Sequence, residues 1–358
     1  MISSHRVMLE LLDSHSDSSY QYTGDSEALS PIELAQIYLT SAILVSSMEF
    51  IKEQLWLKNK EDKSLGQSTS YDKLLKPFFA SELSSISFLN DFVTDASSKK
   101  IARISKDSSI IEQGIIALIV KRSDSEQKVF VQQALQDMTD VFMEEESWQE
   151  GRGLEEGHRG PRFYRTFDRL DEIFKLNYNL DRDMVVDHET EERLYQGSGV
   201  GVQSGYSSIL LALENLGLKE GAQVVDLGSG FGRVGLVCSM LRPDLAFTGY
   251  EYVPHRVDVS NRATAALRLE DSLIFKTQDL SLKSFNIPSA DVFYLYDPFS
   301  KETYDYVLEQ IVEVSLSKRI AIVTKGNASA WLDNIASNHS WPAPIILDKG
   351  NVCIYWTA

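Results

Sequence analysis

The run Val224-Val225-Asp226-Leu227-Gly228-Ser229-Gly230-Phe231-Gly232-Arg233 sets three glycines at alternate positions directly after an apolar pair. A β-strand is expected to end near Leu227 and a helix to begin at Arg233. Glycine lacks a Cβ, so such a run can turn tightly and let a ligand lie almost on the main chain, while the following helix presents its first N–H groups. The pattern predicts a nucleotide-type binding turn at the carboxyl end of a strand.

The spacing separates two kinds of glycine turn. A dinucleotide fingerprint needs G-x-G-x-x-G with an acid about 20 residues on. Here the third glycine comes one residue early, and Asp226 stands two residues before the first. Further strand ends bear on the choice. Phe247-Thr248-Gly249-Tyr250-Glu251 reads as a second strand ending in a carboxylate, 19 residues after Gly232. The two oxygens of one planar group can accept from both hydroxyls of a ribose. A third element, Leu273 to Leu280, carries Asp279 near its end, and a fourth, Asp291 to Tyr296, leads into Asp297-Pro298-Phe299.

The D-x-G-x-G-x-G run resembles motif I of the class I S-adenosylmethionine-dependent methyltransferases, and the later strand ends follow that family's order. The resemblance implies S-adenosylmethionine as cofactor, with Asp226, Gly228, Ser229, Gly230 and Gly232 along its methionine and ribose parts. Glu251 and its neighbour Tyr252 fall at the sugar, and Asp279 and Leu280 at the adenine. The glycine-rich lead Tyr195 to Tyr206 matches the segment that folds over the cofactor in this family, which makes Ser204 and Tyr206 candidate contacts to the methionine carboxylate. Ser204 also reads as the N-cap of a helix Ser207–Leu216. Both readings stand.

On the acceptor side, Asp297-Pro298-Phe299 resembles the Asn/Asp-Pro-Pro-aromatic motif of amino-group methyltransferases, with one proline missing and Phe as the aromatic. The resemblance implies that the Asp297 side chain and the Pro298 carbonyl hold the acceptor while Phe299 packs on it. The other reading is that Asp-Pro only turns the chain. A narrower resemblance, over Gln203 to Gly326 at most, is to DOT1-like lysine methyltransferases, through Asp226-Leu227-Gly228-Ser229-Gly230-Phe231-Gly232 followed by Glu251. It adds a protein lysine to the candidate acceptors. The expected activity is methyl transfer to a nitrogen or oxygen of a protein or small molecule. The alternatives are a cofactor-binding scaffold without turnover and a nicotinamide-dependent oxidoreductase.

The elements after Val224 alternate strand and helix and close on an expected hairpin, Ile345–Leu347 and Val352–Trp356, around Lys349-Gly350-Asn351. Alternation specifies a mainly parallel α/β sheet with helices on both faces, and the terminal hairpin is what the resemblance adds, giving a Rossmann-like methyltransferase sheet. Its ligand belongs outside the carboxyl ends of the strands.

Before this domain, placed at 163–358, the chain reads as a loosely ordered 1–29, an α-helical domain 30–149 and a Gly-rich linker 150–162. Ser30-Pro31-Ile32-Glu33 is a capping box with proline at the first helical position. Lys60 to Ser70 reads as a loop, Leu83 to Val93 as a helix, and Phe163 to Leu180 as a helix that starts the second domain. Ile110 to Val120 suits strand by composition and helix by spacing, and its neighbours favour helix. No metal site is expected: where His188-Glu189 would need a second histidine, Glu192 stands.

The formal net charge of −17 weighs against duplex nucleic acid as a partner, because that affinity rests on Lys and Arg neutralising phosphates. Cys238 and Cys353 read as small core residues in a reducing compartment. No signal peptide is recognised, the apolar window Leu34–Met48 reads as too short to span a bilayer, and a cytoplasmic protein is expected.

Overall fold

The computed structural model describes residues 29–67, 69–71, 73–74, 97–152, 167–182, 203–296, 300–326 and 328–357. The chain divides into two compact units between Arg169 and Leu170. The expected helix Leu83–Val93 and the glycine-rich stretch 153–162 fall outside the described residues.

In the first unit, helix α1 (Pro31–Ser64) packs against α2 (Ser98–Ile119) and α3 (Asp124–Arg152). The capping box forms: the Glu33 N–H donates to Ser30 Oγ, and the Ser30 N–H donates to Glu33 Oε2 at 2.8 Å. These bonds hold the exposed Glu33 carboxyl below its usual range. Ile110–Val120 is helical, its spacing prevailing over its β-branched composition, with Ile111, Ile115 and Ile119 buried. Tyr38, Phe130, Phe142 and Phe167 form an aromatic cluster, and Tyr38 donates its hydroxyl proton to the Phe167 carbonyl.

Two expectations change here. Lys60–Ser64 continues α1 instead of opening a loop, because straight-chain charged residues on a solvent face extend a helix readily. The helix, at 34 residues, has an 18-residue window of mean hydropathy 1.4, long and apolar enough to cross a bilayer, although 78% of that window is buried within the protein. The apolar window is therefore not too short to span. In addition, α3 runs on through Glu150-Gly151-Arg152, where a connector was expected.

The second unit opens on the short helix α4 (Leu170–Ile173) and a 3-10 turn (Tyr178–Arg182). Of the single helix expected over Phe163–Leu180, residues 163–166 lie outside the described residues and only Leu170–Ile173 is helical; the chain turns at Lys175, whose φ of 58° is left-handed, and the Leu176 N–H closes back on the Asp171 carbonyl.

Helix α5 (Tyr206–Leu216) leads into β1 (Gln223–Leu227), α6 (Arg233–Leu241), β2 (Ala246–Glu251), α7 (Pro254–Ala266), β3 (Leu273–Thr277) and β4 (Val292–Tyr296). The unit closes with α8 (Lys301–Ser317), β5 (Ala321–Lys325), α9 (Ala328–Asn338), β6 (Ile345–Leu347) and β7 (Val352–Trp356). The seven strands lie in the order β3-β2-β1-β4-β5-β7-β6. β1 to β5 are parallel, β7 is antiparallel to β5, and β6 and β7 form the expected hairpin.

Strand alternation sorts the core. Val225, Leu227, Phe293, Leu295 and Ile322 face Tyr304, Val307 and Ile311 of α8 and Leu332 of α9. Val224, Val292 and Tyr294 face Ile209 and Ala212 of α5 and Val234 and Cys238 of α6. Both cysteines are buried and free. Strand order reverses between β1 and β4, so the crevice at the carboxyl end of β1 is the switch point where open α/β sheets take ligands.

Candidate functional site

The glycine run lies at that switch point. After β1 the backbone takes positive φ at Gly228, Gly230 and Gly232, and the Gly228 and Ser229 N–H groups both donate to the Tyr250 carbonyl at 2.8 Å. Gly232 is the N-cap of α6 at φ 82°, and a Cβ there would come within 2.6 Å of the Phe275 ring. The turn is thus locked against both β2 and the ring behind it.

The Glu251 carboxylate closes over the turn. Its Oε2 accepts from the Gly230 N–H at 2.8 Å, and its Oε1 accepts from the Val253 N–H at 3.0 Å with an Arg256 Nη1 at 3.5 Å. Tyr252 beside it is 36% exposed. Asp226 lies on the α6 face of β1, 2% exposed, and its Oδ2 is buried with no hydrogen-bond partner among the described residues. Burial, reinforced by the Glu251 charge, raises its carboxyl well above the ordinary range. Burial and then Asp226 push the nearby Cys238 thiol up to about 12. The Ser229 Oγ is likewise buried without a hydrogen-bond partner among the described residues.

Asp279 turns one carboxylate oxygen to the Ser281 N–H and hydroxyl, at 2.9 and 2.6 Å, while Leu280 is buried in the core. Ser204 is not the helix cap: Gly205 is, with no side-chain cap bond. The Ser204 hydroxyl instead accepts from Tyr294 at 3.0 Å. Tyr206 turns its hydroxyl to Asp171 at 2.7 Å, inside a largely buried network. Asp297, Pro298 and Phe299 lie outside the described residues, and the strand before them ends at Tyr296.

That buried network is a feature the motif reading did not contain. Arg233, the first residue of α6, is 1% exposed. It donates from Nε to Asp171 at 3.0 Å, pairs through Nη2 with the same carboxylate, and donates from Nη1 to the Ser204 carbonyl at 3.0 Å. Tyr178 and Tyr206 donate to Asp171, and the guanidinium lies over the Tyr206 ring. A second set stands at the start of α7: Asp181, wholly buried, meets Arg256 through both Nε (3.1 Å) and Nη2 (2.9 Å), and His255 Nε2 (2.7 Å). Phe231, from the glycine run, packs edge-on against Tyr178 and under Arg256. Leu170–Arg182 therefore braces the helices that follow β1 and β2.

The residues present fit a sulfonium nucleoside. The cradle is bare backbone, two acids flank it, and the buried Asp226 oxygen lacks a donor that an ammonium group would supply.

No protein-family profile matches the chain. Over 59 residues it is 39% identical to the ribosomal RNA small subunit methyltransferase G of Thermobifida fusca (strain YX), a match covering 16% of this chain and 25% of that protein. The chain thus spans about a quarter of the length of that curated relative. Among solved structures, it resembles the precorrin-6y C5,15-methyltransferase of Geobacter metallireducens GS-15 at 13% identity and TM-score 0.36, over 44% of this chain and 92% of that one. It also resembles an S-adenosylmethionine-dependent methyltransferase of Geobacter sulfurreducens, solved with S-adenosyl-L-homocysteine, at 21% identity and TM-score 0.28, over 33% and 47% of the two chains. By its strand order, antiparallel terminal hairpin and D-x-G-x-G-x-G turn at the switch point, the unit that begins at Leu170 has the fold of the class I S-adenosylmethionine-dependent methyltransferases.

Proposed function

We propose that this chain is an S-adenosylmethionine-dependent methyltransferase acting on a nitrogen or oxygen nucleophile. One observation supports it above the rest: at the switch point, the Glu251 carboxylate spans the glycine turn while the buried Asp226 Oδ2 has no hydrogen-bond partner among the described residues. Asp226, Gly228, Ser229, Gly230, Gly232 and Ser204 would hold the methionine and ribose parts, Glu251 and Tyr252 the sugar, and Asp279 and Leu280 the adenine. Tyr206 would act one step back, through Asp171 and Arg233.

When bound, S-adenosylmethionine supplies an electrophilic methyl group on a positive sulfur. The chain's task is then mainly positional, and holding reactants in line can supply roughly 7–11 kcal/mol of a barrier. The braced turn gives a rigid floor for that purpose. On the acceptor side, Asp297 would hold and orient the nucleophile and take up its proton, with the Pro298 carbonyl and the Phe299 ring beside it.

The acceptor class follows from charge and from what the motifs share. At a net charge of −17 the surface does not suit a phosphate backbone. The match to the ribosomal RNA enzyme covers a quarter of that protein, too little to carry its substrate over. The DOT1-like likeness rests on a glycine turn that the whole class shares, so it does not single out a protein lysine. A small-molecule acceptor is the simpler reading.

Calorimetry with S-adenosylmethionine and with NAD tests the cofactor. Micromolar binding of the first and none of the second is expected, and the reverse would overturn the reading. Methyl transfer from radiolabelled cofactor into a lysate, sorted into protein, nucleic-acid and small-molecule fractions, tests the acceptor, with label expected in the last.

A further inference from the structure

Arg256 connects a buried aspartate, 75 residues earlier in the chain, to the carboxylate assigned to the ribose. Asp181 is 0% exposed and takes two of the guanidinium's donors, Nε and Nη2, as a fork. A guanidinium is planar, so two fixed prongs fix the third. That third prong, Nη1, lies 3.5 Å from Glu251 Oε1. The Gly230 and Val253 N–H groups engage the other sides of the same carboxylate. Phe231 packs under the guanidinium and stands near His255, which limits the room for any other arrangement.

We propose that Asp181 is a positioning residue of the cofactor site, acting through Arg256 to hold the Glu251 carboxylate in the orientation that accepts the two ribose hydroxyls. The proposal rests on the cofactor reading above. With Asp181 doubly bonded to it, Arg256 is kept from swinging fully onto Glu251, and the carboxylate oxygens keep lone pairs for the sugar. Once the Asp181 charge is gone, the fork is lost and Arg256 turns further onto Glu251, which its Nη1 already approaches, and occupies the face that the hydroxyls need. The consequence is specific to ligands that carry those hydroxyls.

The test compares S-adenosylhomocysteine with its 2′,3′-dideoxy analogue, by calorimetry on the full chain, for the wild type and Asp181→Asn. The variant is expected to bind S-adenosylhomocysteine about tenfold or more weakly, and the dideoxy analogue within about twofold of the wild type. A general loosening of the fold would weaken both ligands alike, and that outcome, or unchanged affinity for both, overturns the proposal. Arg256→Lys provides a second route should Asp181→Asn not fold: it keeps a cation on Asp181 but loses the fork, and the same selective loss is expected. Failure of the wild type to bind S-adenosylhomocysteine overturns the cofactor reading itself and the proposal with it.

Discussion

Among the described residues of the second unit, three aspartates are almost wholly buried, and the protein treats them in opposite ways. On the brace, Asp171 accepts from Arg233, Tyr178 and Tyr206, and Asp181 accepts from Arg256 and meets His255. On the floor of the glycine turn, Asp226 has an oxygen with no partner among the described residues, and a second acid, Glu251, is close enough to raise its carboxyl further. Buried charge is costly unless paired. Where the fold needs rigidity, the cost is offset within the chain. At the turn where the cofactor is proposed to bind, the acid is unpaired among the described residues.

Breaking a paired member should therefore have the largest effect. Arg233→Met leaves Asp171 buried without its cation and is expected to cost about 3–5 kcal/mol, read as a fall in unfolding free energy in urea. Adding Asp171→Ala to Arg233→Met should recover part of that loss, because the remaining charge is then gone. A loss below about 1 kcal/mol for Arg233→Met would mean that the brace does not hold the second unit together.

Packing beneath the floor comes next. Gly249 sits beside Asp226 across the β1–β2 pairing, and a Cβ there would stand 2.4 Å from the Phe275 ring and 2.8 Å from the Ser229 Cβ. Gly249→Ala is expected to destabilise by about 1–3 kcal/mol and to weaken S-adenosylmethionine binding by displacing Ser229. Thermal melts with and without the cofactor separate the two effects, and an unchanged melt would show that Phe275 yields without strain.

Asp226→Asn sharpens the contrast, because removing the unpaired charge should stabilise the empty protein. A carboxyl raised in the folded state holds its proton longer than in the unfolded chain, so stability falls as pH rises from the unfolded value near 3.9 toward the raised one. The Asn variant lacks that fall. Its gain should be absent below about pH 3.9 and should reach about 1–2 kcal/mol at neutral pH, with a steep loss of S-adenosylmethionine affinity. Urea unfolding at several pH values reads the first effect and calorimetry the second. A variant that is less stable at pH 7 would mean that Asp226 is satisfied within the chain.

The difference between floor and brace also explains what could be read from the sequence. The floor is local: an apolar pair, glycines two apart and an acid at the next strand end fix a turn whose consequences stay within one βαβ unit, and strand and hairpin positions followed from alternation. The brace is not local. Asp171 and Arg233 are 62 residues apart, and Asp181 and Arg256 are 75 apart, on a segment whose mixed aromatics and arginines read as a helix until Lys175 breaks it. One signal was available. Arg233 opens α6, and His255 and Arg256 open α7, at helix N-termini where the dipole disfavours cations. Cations in such places need nearby acids, and the composition alone did not say which. The extension of α1 past Lys60 went unread for a related reason, since a run of exposed Lys, Glu and Asp looks the same in a loop as on a solvated helix face.

The smallest effect marks the other end of the scale. Arg103 and Asp107 pair at 3.4 Å across one turn of α2, with the arginine side chain 50% exposed. Water solvates the half-exposed arginine, so little Coulomb energy survives and side-chain ordering offsets part of it. Arg103→Ala is expected to change the unfolding free energy by no more than about 0.5 kcal/mol, and that change should shrink further in high salt. The ion pair at Arg233 should keep its effect under the same salt, because it lies beyond the reach of screening ions. Equal salt sensitivity at the two positions would show that the brace is open to solvent, and the distinction between paired and unpaired buried acids would then lose its physical basis.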